Sequence, residues 1–506
     1  MEPRPNILVI MSDEHAPMYS HAYGHPRIET PHMDALAAGG TLFQDAYCPS
    51  PLCVPSRAAF VTGKHVHRIG AYDNGAPFPS ETVTFSPLLR GAGYEVVLDG
   101  KRHFVGPDTL HGFGAQLTRD AHRDSHSPTI TGREWSDPHP AGGARARERI
   151  ESAGPGRAAH LDFDDEVEAA ALEWIRARGA GGGRRGDPWC LVAGFLAPHF
   201  PLIVPERYFN RYYPDNVDLP AFPPDHLAGQ HPAHERVRRT FNLYDYTEEQ
   251  IRVARAAYYG LVTYMDDKIG RLVGALRETG QLEDTLVVYT SDHGELAGDH
   301  GLWWKNSFYE QASRVPLILS WPGAPQRVPV GARFGGAVSL LDLTRTLIDV
   351  AGVPDPGELD LDGDSLLPPL GALAGGDADG AGALWKDEAI VEYYGHATNR
   401  PQRMLRAGRW KYAYYHGEPA ELYDLVADPQ EFRNLAGGPE VAAIESALRR
   451  RLLADWDPDD VEAAVRRSQR ARQVIGRATG APARVERAPA SDPERGGTGA
   501  PSTRAR

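Results

Sequence analysis

The sequence predicts an α/β fold: a large, mostly parallel sheet flanked by helices, with a smaller C-terminal α+β domain. Three observations carry this. Ile7-Leu-Val-Ile-Met11 and Leu286-Val-Val-Tyr-Thr290 are short continuous apolar runs followed by polar, turn-forming residues, the pattern of strands buried on both faces of a parallel sheet. Helical patterns alternate with such runs, which is the βα grammar of a parallel sheet. Past a Pro/Gly/Asp-rich stretch from Pro354 to Gly382, the pattern changes to short alternating strands with tight turns. At 506 residues the chain is long enough for one large core and a lesser partner.

In chain order, the opening strand Ile7–Met11 releases Ser12-Asp13-Glu14 at its carboxyl end. Pro31 to Gly39 predicts a helix with proline in the first turn and glycine at the stop. Phe85 to Arg90 predicts another, ending at Gly91, and Tyr94 to Leu98 a further strand. Loops are expected at residues 140–160 and at Gly181-Gly-Gly-Arg-Arg-Gly186. Glu249 to Thr279 carries a long 3.6-residue period that feeds the Leu286–Thr290 strand, after which Ser291-Asp292-His293-Gly294 follows. Ala389–Tyr394, Arg409–Tyr415 and Glu421–Leu425 read as antiparallel strands, and Glu440 to Arg470 as helix. The expected domains are a catalytic α/β unit over 1–380, an α+β unit with antiparallel sheet and helix over 385–470, and a tail over 471–506. That tail holds 7 Arg against 3 acidic residues, with 4 Pro, 5 Gly and no aromatic. It has too little apolar surface to offset the entropy of ordering.

Composition excludes several classes of function. With 54 Lys+Arg against 68 Asp+Glu, the formal charge of −14 gives the molecule no reason to seek nucleic acid or an anionic membrane. Any anionic substrate must be drawn by a local site. Three cysteines, Cys48, Cys53 and Cys190, have no framework spacing, and the opening apolar run is too short for a signal or spanning segment, so a cytoplasmic protein is expected.

The densest chemical signal is Ser50-Pro-Leu-Cys53-Val-Pro55-Ser56-Arg57-Ala-Ala-Phe-Val-Thr-Gly63. Pro55 suits a first helical turn and Gly63 a helical stop, which places Cys53 at a helix N-terminus, where free N–H groups and the dipole favour an anion. Arg57 adds a cation one turn along. The phosphate-cradling loop of thiolate phosphatases needs five residues between cysteine and arginine; here three intervene. Asp13 and Asp292 leave separate strands at their carboxyl ends, where open α/β sheets build sites, and are hard oxygen donors for Ca²⁺ or Mg²⁺. His293 adds a nitrogen that Mn²⁺ or Zn²⁺ accepts more readily. Asp360-Leu-Asp362-Gly-Asp364 lacks the glycine and glutamate spacing of a calcium loop and reads as a turn.

Cys53-x-Pro55-Ser56-Arg57 resembles the signature of the sulfatases, whose cysteine is converted to formylglycine after translation. The resemblance covers roughly residues 5 to 435. Asn6-Ile-Leu-Val-Ile with Asp13, and Thr30-Pro-His-Met-Asp-Ala-Leu-Ala with Gly40 and Phe43, are similar to the family's opening. Leu422-Tyr-Asp-Leu425 with Asp428-Pro, Glu431 and Asn434-Leu435 is similar to its closing domain. Tyr23 to Pro26, Ala71-Tyr-Asp-Asn74, and Asp99-Gly-Lys101-Arg-His103-Phe-Val-Gly106-Pro-Asp with His111-Gly-Phe113 look most like the choline-sulfatase branch.

The resemblance implies an alkaline-phosphatase-like fold and hydrolysis of a sulfate monoester to an alcohol and inorganic sulfate. It implies one divalent metal, calcium by preference with Mn or Mg as alternatives, held by Asp13, Asp292, His293 and the modified Cys53. It also implies a formylglycine-generating maturation enzyme as partner. Arg57 would hold the hydrated aldehyde and metal ligands, while Lys101, His103, His199 and Lys305 would neutralise sulfate and leaving-group oxygens. His103 is the preferred base and Asn74 a substrate contact. Two departures stand out: Glu14 replaces a second aspartate, and His293 replaces the asparagine or glutamine of many sulfatases. No aromatic follows Trp456, whereas choline sulfatases use aromatic residues in a C-terminal extension, so the alcohol stays unassigned. The alternatives are a phosphonate monoester or phosphodiester hydrolase on the same site, and a non-catalytic binding protein if Cys53 is not matured.

Overall fold

The structure is a computed structural model that describes residues 4–121, 140–179, 187–354, 358–398 and 400–478. Its centre is an eight-stranded sheet. Across the sheet the strands run Ala332–Phe334, Thr41–Phe43, Leu317–Ser320, Thr285–Ser291, Asn6–Asp13, Trp189–Pro198, Glu95–Gly100 and Ala115–Gln116. Five of the seven pairings are parallel; Leu317–Ser320 runs against both of its neighbours.

The continuous apolar runs have a plain cause. Ile7, Val9 and Met11 enter one core with Leu286 and Val288, while Leu8 and Ile10 enter the opposite core with Val287 and Tyr289. A strand covered on both sides has no polar face to show, so alternation disappears. The helix Glu248–Glu278 opens on a Thr247/Gln250 capping box and lies in the second core. The helix Cys53–Thr62 belongs to the first core, with all ten residues buried.

Beyond the sheet, Glu388–Tyr393, Gln402–Ala407, Trp410–Tyr415 and Glu421–Asp424 form an antiparallel meander in sequence order. The helix Ala442–Leu452 packs on it through Leu448 and Leu452. Gln402–Ala407 goes beyond the strands the sequence pattern marks. Its Arg403 is fully buried, paired with Glu392 at 3.0 Å and Asp455 at 2.8 Å, so polarity on this strand does not signal exposure.

Three expected boundaries differ. The span 140–160 is not loop throughout: it carries the helix Pro140–Glu151, built from Ala, Arg and Glu, which are good helix formers. The Pro354–Gly382 stretch contains the helix Leu367–Ala374, opened by prolines in its first turn. The last helix runs Pro458–Ala478, eight residues into the expected tail, with Arg472 and Gly476 buried along its inner face. Gly181–Gly186 and residues 479–506 lie outside the described residues. Among the described residues no helix is long and apolar enough to cross a membrane.

Candidate active site

Asn6–Asp13 and Thr285–Ser291 are adjacent parallel strands in register, Ser12 opposite Ser291. Asp13 and Asp292 therefore leave neighbouring strand ends, although far apart in sequence. Both are fully buried, as is His293. The third contributor arrives on the helix Cys53–Thr62, whose first residue is Cys53 and whose stop is Gly63 in the left-handed conformation.

Donor atoms of Asp13, Cys53, Asp292 and His293 all lie within 4.8 Å of one another. His293 Nε2 is 3.1 Å from Cys53 Sγ, 3.6 Å from Asp13 Oδ1 and 3.7 Å from Asp292 Oδ1. His293 Nδ1 lies 3.1 Å from the Gly294 carbonyl, an acceptor, so Nδ1 carries the hydrogen and Nε2 is the bare nitrogen. Burial, aided by Lys305 and Lys101, pushes the His293 pKa down to about 3, which keeps the ring neutral. Two carboxylates, a neutral imidazole and the atom on residue 53 suit a divalent cation such as Ca²⁺, Mn²⁺ or Mg²⁺. Sγ here marks where an oxygen of the converted residue would stand.

As a thiol, Cys53 is not activated. Burial pushes its pKa up to about 12, with Asp292 and Glu14 adding to the rise against Lys305 and Arg57. The helix N-terminus alone does not produce a thiolate there. Leu52, the N-cap, offers no side-chain acceptor, and the Val54 N–H is instead bound by Asn74 Oδ1 at 3.0 Å.

Arg57 ties the cluster together. Its Nε donates to Asp292 Oδ2 at 2.7 Å, Nη1 to the Lys101 carbonyl at 2.9 Å, and Nη2 lies 3.6 Å from Asp13 Oδ2. Burial would raise the Asp292 carboxyl, but Arg57, His293 and Lys101 hold it well below the usual carboxylate range. Lys101 follows the strand Glu95–Gly100 and its Nζ meets the Asp13 carboxylate. A close approach sets this up: a Cβ on Gly194 would fall 2.0 Å from the Lys101 carbonyl oxygen, so only glycine lets the two strand ends converge.

Glu14, with a left-handed φ of 66°, follows Asp13 and donates its backbone N–H to Asp292 Oδ1 at 3.3 Å. Its carboxylate sits 3.1 Å from Lys305 Nζ and 3.4 Å from His199 Nε2. Burial pushes its pKa up to about 8 despite Lys305. With Asp13 and His199 it makes a second, overlapping trio of donors. Direct contacts thus bring together Asp13, Cys53, Arg57, Lys101, Asp292 and His293, while Lys305 and His199 join through Glu14 and Asn74 through Val54. His103 lies two residues past Lys101, buried, with its backbone N–H on Asp120 Oδ2 at 2.9 Å.

Sequence reasoning did not single out Ser56 or Asp120. Ser56 Oγ donates to the Asp292 carbonyl at 2.5 Å and so seats the helix against the strand end. Its place in the Cys53–Arg57 run was the available signal; Asp120, distant in sequence and in no motif, gave none.

A family profile described as Sulfatase matches residues 5–353, and one described as N-sulphoglucosamine sulphohydrolase, C-terminal matches residues 298–456. The chain is 34% identical over 488 residues to a choline-sulfatase of Rhizobium meliloti (strain 1021), covering 93% of this chain and 91% of that protein. It is 31% identical over 451 residues to arylsulfatase K of Danio rerio, covering 86% and 80% respectively. Among solved structures, the phosphonate monoester hydrolase of Agrobacterium radiobacter superposes with a TM-score of 0.69 at 28% identity, covering 89% of this chain and 95% of that one.

Proposed function

The chain belongs to the sulfatase family and is an enzyme of the sulfuric ester hydrolase class, and on that premise we propose that it splits a sulfate monoester into an alcohol or phenol and inorganic sulfate at Cys53. The observation that carries the reading is the convergence of Asp13, Cys53, Asp292 and His293 within one buried cluster, ringed by Arg57, Lys101, Lys305 and His199.

Asp13, Asp292, His293 and residue 53 are proposed to hold one divalent cation, calcium by preference. Together with formylglycine at residue 53, that ion supplies an acidified hydroxyl and a local positive charge when present. The remaining work belongs to the chain. Arg57 fixes Asp292, Asp13 and the Lys101 carbonyl in one orientation. Lys101 and Lys305, both buried, stand ready to neutralise ester oxygens, and burial is where such charges act most strongly. His103 is assigned the proton transfer at residue 53. Asn74 has its amide oxygen committed to Val54, so it offers substrate its NH₂.

The likeness to a choline-sulfatase supports a small alcohol, yet no aromatic follows Trp456, and the assignment stops at an alkyl or aryl monoester. Cys48, Cys53 and Cys190 are all unpaired, which supports a cytoplasmic setting. Cys53 is 2% exposed, which supports conversion by the maturation enzyme before folding.

The rival is phosphonate monoester or phosphodiester hydrolysis, favoured by the likeness to the Agrobacterium radiobacter enzyme. Peptide mass analysis comes first: conversion of Cys53 lowers its mass by about 18 Da, and a residue 53 that still alkylates as a thiol in native material favours the alternative of a non-catalytic binding protein. On converted protein, an aryl sulfate and an aryl phosphonate monoester are assayed in parallel. A higher kcat/KM for the phosphonate reverses the assignment.

A further inference from the structure

Arg472, near the end of the helix Pro458–Ala478, is 2% exposed and faces Asp73, which is fully buried. The guanidinium makes two parallel hydrogen bonds to the carboxylate, Nη1 to Oδ1 at 2.9 Å and Nη2 to Oδ2 at 2.7 Å. Asp73 Oδ1 also accepts the Gly75 N–H at 2.8 Å. Burial opposes the charge on Asp73, and Arg472 outweighs it, holding the carboxyl below its ordinary value. On another side the chain passes at Gly395, where a Cβ would fall 2.5 Å from Asp73 Cβ. Asp73 is thus bound by the last helix and closely passed by the chain at Gly395.

The next residue is Asn74, whose side chain receives the Val54 N–H. Val54 follows Cys53 in the first turn of a helix that has no side-chain cap of its own. Asn74 therefore does from a distance what an N-cap residue does locally. A bidentate fork fixes orientation as well as distance, so displacement of Asp73 passes to Asn74 and to the helix start. Stability alone is a weak reason for such a pair, since buried ion pairs are often matched by apolar residues of similar volume.

We propose that Arg472 is a positioning residue for the reaction at residue 53, acting through Asp73 on Asn74 and through Asn74 on the N-terminus of the helix that carries Cys53. The inference rests on the reading of residue 53 and Asn74 given above. It connects the last helix to the chemistry at residue 53.

The test is a double-mutant cycle of Arg472→Gln and Asn74→Ala on protein whose residue 53 conversion is verified by mass, with kcat and KM measured on 4-nitrophenyl sulfate. Arg472→Gln is expected to lower kcat/KM by roughly 10- to 100-fold, mainly in kcat. In the Asn74→Ala background the same change is expected to cost less than about 2-fold, because the relay is already cut. Arg472→Lys restores part of the loss, since an ammonium cannot form the fork. An equal loss in both backgrounds, tracking the fall in Tm, makes Arg472 a structural strap and overturns the proposal. If Arg472→Gln does not fold, Asp73→Asn takes its place in the same cycle. Should converted wild-type protein leave the aryl sulfate intact, the aryl-ester reading of the substrate fails by itself. The cycle is then read from inorganic sulfate binding by calorimetry, where additive effects likewise sink the relay.

Discussion

Two buried clusters in this molecule gather carboxylates to opposite ends. Between the large sheet and the C-terminal meander, Lys411 lies 3.0 Å from Glu310 and 2.6 Å from Glu431. Tyr47 donates to Glu310 at 3.0 Å, Arg406 to Tyr47 at 3.0 Å, and Glu431 accepts the Glu310 N–H at 2.7 Å. At the strand ends, Asp13, Cys53, Asp292 and His293 bring mostly acceptors face to face within 4.8 Å. Both clusters hold one carboxylate low and push another up: Glu310 and Glu431 in the first, Asp292 and Glu14 in the second. Perturbed ionisation therefore does not tell a strut from a site. What differs is whether a cation of the chain stands between the acceptors. In the strut Lys411 stands against both carboxylates; in the site the donor atoms of Asp13, Cys53, Asp292 and His293 lie within 4.8 Å of one another, an arrangement a cation would complete.

The comparison breaks most sharply at residue 53. Cys53→Ala is expected to lower kcat/KM by about 10⁴-fold or more with an unchanged circular dichroism spectrum, because the group that attacks the ester is removed. Asp292→Ala comes next: bound metal, read by elemental analysis, falls to background and activity drops on the order of 10³-fold. Metal retained at the wild-type level would falsify the ligand set. In the strut, Lys411→Met leaves Glu310 and Glu431 facing each other with no cation between them, which costs about 3–5 kcal/mol in denaturant unfolding. Metal content per folded molecule should not change, and a loss of metal in that variant would erase the distinction between the clusters.

Much of this was legible in the sequence because local rules and global fold agreed there. The strand runs Ile7–Met11 and Leu286–Thr290 lie inside the strands Asn6–Asp13 and Thr285–Ser291, and the proline and glycine around Cys53 bracket the helix Cys53–Thr62. What escaped were features set by distant partners. Arg403 and Arg406 make Gln402–Ala407 read as polar, though their charges are matched by Glu392, Asp455 and Asp45. The run Ala471 to Ala478 looks like tail by composition, yet Arg472 finds a carboxylate 399 positions away. No window of neighbouring residues contains that information. Glu14 is the same lesson inside the site: its neighbours in sequence do not tell that its carboxylate meets Lys305 and His199.

The smallest expected effect tests the strut side through pH. Glu421, 3% exposed, accepts from Tyr423 at 2.8 Å and Tyr415 at 2.5 Å and lies 3.1 Å from His234 Nε2. Burial would raise its pKa, but His234 and these hydrogen bonds outweigh it and lower the value from 4.5 to about 2. A depressed folded-state pKa means the charged form is the one the fold stabilises. Its contribution is complete above the unfolded value and disappears as pH falls from about 4.5 toward about 2, amounting to on the order of 3 kcal/mol. Glu421→Gln should therefore lose stability at pH 7 and converge with wild type near pH 2, as urea unfolding at several pH values would reveal. A gap that stays constant with pH means the loss is packing and not charge. Since Glu421 belongs to the meander, wild-type metal content in this variant at pH 7 is the matching expectation, and it separates the strut from the site by a second, independent readout.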